Sequence, residues 1–322
     1  MKKTNPLSLD SVPGFGKLLK AYLSSSNGKL PNSKYFDSTI TEELLDFRTK
    51  FDHREILFQR LTVQNSALVL SEKTQANILL LKEKNTVTIT TGHQLALMGG
   101  PLFVTYKILT AIKLSEQYKL AFPAYNFVPV FWLASEDHDF EEINAFTVHG
   151  KEFKWETNQS GAVGSFSTQG IRELIHRLEN DINGLDPDLL SIFKKAYAKN
   201  NLSEATRYLA NELFGEYGLV IIDGNDASLK KLFVPVLENE VQDKTTFNNV
   251  SLTNKKLEEA GFEPSINPRE LNLFFLTEQD RKRLEFANNG IKTVDDSLSW
   301  SIEDFLKCFN VELHSFNLIT IL

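Results

Sequence analysis

One cysteine, Cys308, is the whole thiol content of this 322-residue chain. A single thiol excludes an intramolecular disulfide framework and suits a reducing compartment, so a cytoplasmic location is expected. Basic charge is also short: 35 Lys and Arg stand against 42 Asp and Glu, a formal net charge of −7. That balance argues against nucleic acid or an anionic membrane surface as partner. No uninterrupted apolar run approaches a membrane span. The two N-terminal lysines are not followed by the apolar stretch that a signal peptide needs. What remains is 42% hydrophobic and 24% charged residues, the make-up of a soluble globular protein with one large domain or two ordinary ones.

Apolar positions in residues 1–85 recur at three- and four-residue steps, as in Leu44, Leu45, Phe47, Phe51 and later Ile78, Leu79, Leu81. That is amphipathic helix spacing, and these helices are expected to pack on the domain that begins at Thr86. Thr86–Thr90 is a β-branched strand. It ends in Thr91-Gly92-His93-Gln94, and Gly99-Gly100-Pro101 then opens a helix running to about Tyr118. This helix is apolar on most sides and is expected to be buried. Phe127–Ala134 is continuously apolar, as suits a parallel strand covered on both faces. Pro129 cannot donate to a ladder, which places it at the strand's start.

The second strand runs directly into Glu136-Asp137-His138-Asp139. Beyond Glu142, residues 143–155 read as a hairpin around His149-Gly150, and helical patterns come next at Ile171–Asn180, Pro187–Asn200 and Ser203–Tyr217. Asp186 and Ser203 are the N-terminal signals of the last two. GLVIID, residues 218–223, is a third buried strand, ending in Asp223. A helix is expected over Ala227–Val241, another over 251–260, a last strand at Asn272–Thr277 and a short helix at Trp300–Phe309.

Ligands of open α/β sheets bind beyond the carboxyl ends of the strands, and both TGHQ and SEDHD fall at such ends. Four successive ionisable side chains cannot all be buried without partners. One reading is a metal site of His138 with Asp137 or Asp139, and with His93 and Asp223 as further ligands. A second is acid–base work on an amine, a third is capture of a substrate ammonium group by Glu136 or Asp137. The bland alternative is an acidic helix N-terminus. The glycines before the helix at Leu102, with Lys107 in its second turn, make either an anion site or a plain crossover.

Three runs are distinctive together: T-G-H-Q, then G-G-P-L-F-x-x-Y-K-x-x-x-A-I-K-L, then V-P-V-F-W-L-A-S-E-D-H-D-F-E-E-I-N. In these the chain resembles the cysteine-adding enzymes of bacillithiol biosynthesis, the BshC family of cysteine ligases. The resemblance implies an α/β fold: a Rossmann-like parallel sheet similar to the class I aminoacyl-tRNA synthetase core, with an inserted helical and hairpin connecting domain. It divides the chain into an N-terminal helical segment (1–85), a first half of the core (86–142), the insertion (143–217) and an incomplete second part (218–322). It implies a ligase joining cysteine to glucosaminyl-malate through an amide bond, with ATP or ADP as the nucleotide, no metal, and homodimers in full-length members. By match to the family's signature loops, Asp137, His138 and Asp139 are the catalytic candidates. Gly92, His93, Gln94, Gly100 and Glu136 are the substrate-binding ones, and Lys107 near the helix start and Asp223 at the third strand end join them by position. Where family members carry T-G-Q-Q, this chain has His93. From about Cys308 onward no likeness is expected, so a truncated product without the dimerisation arm is anticipated. The alternatives are a nucleotide-binding module without ligase activity, and a metal-dependent hydrolase built on His93, Asp137, His138 and Asp139.

Overall fold

The computed structural model describes Ser8 and residues 11–23, 40–288, 290–311 and 316–318. Four helices come first: α1 (Lys17–Leu23), α2 (Glu42–Thr49), α3 (Arg54–Gln64) and α4 (Glu72–Leu80). Thr41 and Ser71 cap α2 and α4, each hydroxyl accepting an amide of the first turn. Then β1 (Thr86–His93), α5 (Leu102–Ala121) and β2 (Asn126–Leu133) form a βαβ unit. The insertion comes next as a hairpin, β3 (Ala145–Val148) and β4 (Lys151–Lys154), and three helices, α6 (Ile171–Asp181), α7 (Pro187–Ala196) and α8 (Leu202–Phe214). The chain then returns as β5 (Val220–Asp223) to complete a parallel sheet of order β1-β2-β5. This is the Rossmann-like α/β arrangement.

Alternation along β2 divides the core between the two faces of the sheet. Val128 and Val130 pack with Leu61, Ile78, Leu81, Val220 and Ile222 beneath α3 and α4. Phe131 and Leu133 face the other way, into a cluster that also takes in Ile108, Phe153, Trp155, Leu174 and Leu209. The insertion therefore shares its core with the parallel sheet. Among the polar contacts that tie the two, the buried Tyr197 hydroxyl accepts the Met98 amide at 2.7 Å. Met98 sits at φ 54°, a conformation that a non-glycine residue adopts only when held there. Tyr197→Phe strands that amide, and a loss of about 1–3 kcal/mol in chemical denaturation is expected.

Several expectations need correction. Pro129 lies inside the central strand, opposite Ile89 of β1, not at its start. The β5 ladder begins only at Val130, so the proline falls where one neighbour has not yet started and no donor is missed. The α5 helix is not buried all round. Val104, Ile108, Ala111 and Ile112 are covered, whereas Leu102, Phe103, Tyr106 and Leu120 are more than half exposed. The helix expected over Ala227–Val241 is broken into α9 (Ala227–Lys230), a 3-10 turn and α10 (Val234–Asp243), because Pro235 at the start of α10 has no amide to continue the ladder. Asn201, not Ser203, caps α8 by accepting the Glu204 amide at 2.9 Å.

After α11 (Thr245–Glu259) the expected last strand, β6 (Leu273–Leu276), turns out to open a second sheet. It continues as β7 (Arg281–Ala287), β8 (Gly290–Thr293), β9 (Ser299–Trp300), helix α12 (Ile302–Val311) and β10 (Phe316–Leu318), in antiparallel order β10-β6-β7-β8-β9. Its core centres on Leu273, Leu284, Ile291, Phe305 and Phe309. The rest of the apolar tail, His314 included, lies outside the described residues. Among the described residues no helix is long and apolar enough to cross a membrane.

Candidate functional site

His93, Leu133 and Asp223 stand side by side in register, so the three parallel strands end along one edge. The residues after each strand therefore emerge on that edge: Gln94, residues 134–139, and Gly224 to Asp226. The acidic stretch opens no α-helix. It is a turn that leads into a short 3-10 helix at Phe140–Glu142, with Asp139 at the N-cap position but no side-chain cap bond. The Asp137 carboxylate shapes the turn by accepting the backbone amides of His138 at 2.7 Å and Asp139 at 3.3 Å.

Gln94 joins the two signature loops. Its Nε2 donates to Asp137 Oδ2 at 3.1 Å and to Glu142 Oε2 at 2.7 Å, so one amide holds two carboxylates together. On the opposite side Arg281, the first residue of β7, approaches Asp137 Oδ1 at 3.6 Å and Asp139 Oδ2 at 3.8 Å. The second sheet thus supplies a cation to the cluster.

Asp223 is engaged within the protein on both oxygens. Oδ1 accepts from the Ser135 hydroxyl and from the Asn225 amide at 3.0 Å. Oδ2 lies 3.5 Å from Ser203 Oγ and 3.6 Å from the buried Arg207 guanidinium. Gly164 allows this arrangement: a Cβ there would lie 2.6 Å from Ser135 and 2.7 Å from Ser203 Oγ. Nearby, Lys230 Nζ donates to Asn225 Oδ1 at 2.7 Å, and burial lowers its pKa against the pull of Glu136 and Asp223.

The His138 tautomer is set by its neighbour. Its Nδ1 lies 2.9 Å from the Glu136 carbonyl oxygen, which only accepts, so Nδ1 carries the proton. The neutral ring therefore presents a lone pair at Nε2, and that buried atom has no hydrogen-bond partner among the described residues. Burial lowers the His138 pKa, with the Arg281 charge adding to the effect. Glu136 moves the other way: burial raises its carboxyl, and its Oε2 is likewise buried without a partner among the described residues. Burial also raises Asp139, and the neighbouring Asp137 adds to it.

A lowered His138 pKa makes stability depend on pH. The unfolded ring takes its proton near pH 6.5 and the folded one only at lower pH. Between those two points the unfolded state binds more protons, so stability falls as pH drops below about 6.5. The raised Glu136 carboxyl has the opposite sign over its own window. His138→Asn removes only the histidine contribution. It is expected to lose less stability than the parent chain between about pH 7.5 and about pH 5.5 in urea titrations.

Other candidates stand apart from the acidic loop. His93 Nδ1 donates to the Gln94 carbonyl at 2.9 Å, and the ring tilts against Phe103 on α5, 5.3 Å between centroids. Gly92 lies flat against Trp132, where a Cβ would come within 3.1 Å. Gly100, at φ 76°, packs on Ala96 and Val104 at the entry to α5. Lys107 Nζ donates to the Gly92 carbonyl at 2.6 Å. The four residues of the hydrolase reading are therefore divided, and among the described residues no group of three or more His, Cys, Asp or Glu side chains is placed to hold a metal ion. A surface cavity lined by Trp155, Glu156, Glu173 and Arg177 lies beside the hairpin, away from the strand ends. The strand-end cluster is identified by convergent, incompletely partnered polar groups, not by depth.

Sequence reasoning missed Glu142, Lys230, Arg207 and Arg281 as members of this cluster. Glu142 carried a signal, since it comes shortly after the acidic run within the same motif. Arg281 carried none, being 144 positions from Asp137 on a strand of another sheet.

Comparison with known proteins supplies the lineage. Residues 3–320 match the family model described as "Bacillithiol biosynthesis BshC, N-terminal Rossmann-like domain". The match runs past Cys308, beyond which the sequence alone suggests no likeness. A Christiangramia forsetii protein is 39% identical over 319 residues, covering 94% of this chain and 59% of its own length. A Flavobacterium johnsoniae protein is 39% identical over 312 residues, covering 94% and 58%. One from Flavobacterium psychrophilum is 37% identical over 323 residues, covering 98% and 60%. All three are named "Putative cysteine ligase BshC". The chain spans about three-fifths of the length of these relatives. With a Rossmann-like sheet, both signature loops joined at its carboxyl edge and a family match along nearly its whole length, the chain belongs to the BshC family.

Proposed function

We propose that the strand-end cluster is the amide-forming site of a cytoplasmic ligase that adds cysteine to glucosaminyl-malate in bacillithiol biosynthesis. The observation that carries this reading is the lone pair at His138 Nε2, which has no partner among the described residues and is fixed by the Nδ1 donation to the Glu136 carbonyl. Family membership and the names of the relatives support it.

An amine attacks an activated carboxyl group only as the free base. It must lose a proton before attack and another after the new C–N bond forms. A neutral imidazole, already below its ordinary pKa, accepts such a proton at neutral pH. Asp137 and Glu142, held together by Gln94, form a negative pair that suits a substrate ammonium group. Asp139 and Glu136 add carboxyl groups beside it, and Asp223 positions Ser135.

A carboxylate is a poor acyl donor, and ATP, when bound, supplies the leaving group. The opening of α5 fits an anion: Pro101 offers no side-chain cap to the first-turn amides, and Lys107 lies within reach of the same strand end. The test is incubation of the chain with cysteine, glucosaminyl-malate and ATP, read by mass spectrometry. The expected product has the summed mass of the two substrates less one water. A folded chain that binds cysteine yet forms no such amide overturns the reading.

A further inference from the structure

We propose that Arg281 is the substrate-binding cation of the strand-end cluster, reading the carboxylate of a zwitterionic α-amino acid whose ammonium group is held by Asp137 and Glu142. The inference rests on the ligase reading above and adds to it the residue that recognises the carboxylate.

Arg281 is unusual in what it does not do. Its side chain is only 23% exposed, yet its guanidinium makes no hydrogen bond to any described residue. Its N–H donors face Asp137 at 3.6 Å and Asp139 at 3.8 Å, both beyond hydrogen-bond length. A structural Arg–carboxylate bridge closes to about 2.7–2.9 Å and is often bidentate. The guanidinium is held in place from another direction. It lies over the Phe274 ring, 5.1 Å from the centroid, and Arg283 shares the same ring at 5.7 Å. The ring fixes the cation's place without using its donors.

The surrounding backbone brings this cation to the acidic loop. The Val163 amide donates to the Asp137 carbonyl at 2.8 Å, and the Gly164 amide to the Ser135 carbonyl at 2.9 Å. Gly161, at φ 96°, lies so close to the Glu278 carbonyl that a Cβ there would overlap its oxygen. The turn before β7 is thereby packed against a loop that is itself bonded to the acidic stretch. The result is an ordered dipole, with Arg281 at one end and the Gln94-linked pair Asp137 and Glu142 at the other. A lone anion would meet the carboxylates, and a lone cation would meet the guanidinium. A zwitterion satisfies both ends.

Titration calorimetry under reducing conditions tests this with cysteine, cysteamine (no carboxylate) and 3-mercaptopropionate (no ammonium). The parent chain is expected to bind cysteine more tightly than either half-ligand. Arg281→Gln is expected to weaken cysteine binding about 10- to 100-fold, the range for hydrogen bonds to charged groups. It should leave cysteamine binding unchanged or stronger, and Arg281→Lys should restore part of the cysteine affinity. Equal weakening of cysteine and cysteamine would mark Arg281 as structural and overturn the proposal. So would unchanged cysteine binding in Arg281→Gln, with the ligase reading left standing. If serine binds in an Arg281-dependent way and cysteine does not, the assignment of Arg281 stands and the cysteine-ligase reading fails. If neither amino acid binds the parent chain, the Arg281 proposal is refuted, and amide formation judges the ligase reading separately.

Discussion

His138→Asn is expected to reduce amide formation by about 10²- to 10⁴-fold at pH 7.5, the usual contribution of a positioned general base. The asparagine amide can take over the Nδ1 donation to the Glu136 carbonyl, so the turn keeps its anchor. What disappears is the lone pair at Nε2. Cysteine affinity should hold, because Asp137, Glu142 and Arg281 are untouched. The expected signature is therefore a loss in kcat with little change in KM or in the urea midpoint at neutral pH. Turnover close to that of the parent chain would sink the assignment of His138 as base.

The second large effect falls on the fold. Gly224→Ala is expected to destabilise the chain by about 3 kcal/mol, at the upper end of ordinary overpacking. A Cβ at Gly224 would overlap Trp132 Cζ2 and lie 2.5 Å from Cε2. The indole has little room to yield, since Trp132 sits on the central strand and packs against the cluster of Val130, Ile222 and Leu229. Gly92→Ala presses on the same residue from β1, but at 3.1 Å, and a smaller loss is expected. Urea denaturation monitored by tryptophan fluorescence measures both. A Gly224→Ala midpoint equal to that of the parent chain would show that the indole is free to move. Because Asn225 adjoins Gly224, the variant should also disturb the bond between Asn225 and Lys230.

Much of the parallel sheet was legible because its strands are written in strand-forming residues. FVPVFWL and VIID are apolar and almost wholly buried, as strands covered on both faces must be, whereas TVTIT on the edge is β-branched with Thr88 and Thr90 exposed. The second sheet was not legible past β6. β7 opens with Arg281, Lys282 and Arg283, and only Leu284 along it is fully buried. A strand whose apolar alternation is masked by charge looks like a loop. The α5 helix misled in the other direction. Its composition is apolar almost all round, but only the face carrying Val104, Ile108, Ala111 and Ile112 meets the sheet. Composition counts apolar residues without saying which of them find a neighbour.

The candidate site divides the same way. TGHQ and SEDHD could be recognised from the sequence because strand ends and ionisable residues coincide there, a relation local to each motif. That Gln94 and not His93 reaches the acidic loop was not legible, because it depends on which way each side chain leaves the end of β1.

The amino-acid sequence by itself determined the α/β class, the three parallel strands, the two signature loops and the lineage, since each is written in contiguous residues and short-range spacing. Only the tertiary structure decided that His138 presents a lone pair at Nε2, that Asp223 is occupied within the protein, and that Arg281 faces Asp137 and Asp139. The Asp223 and Arg281 contacts join residues far apart in the chain, whereas the bond that sets the His138 tautomer spans only two residues and matters because burial, which comes only after the chain has closed around it, sets the charge state of the ring.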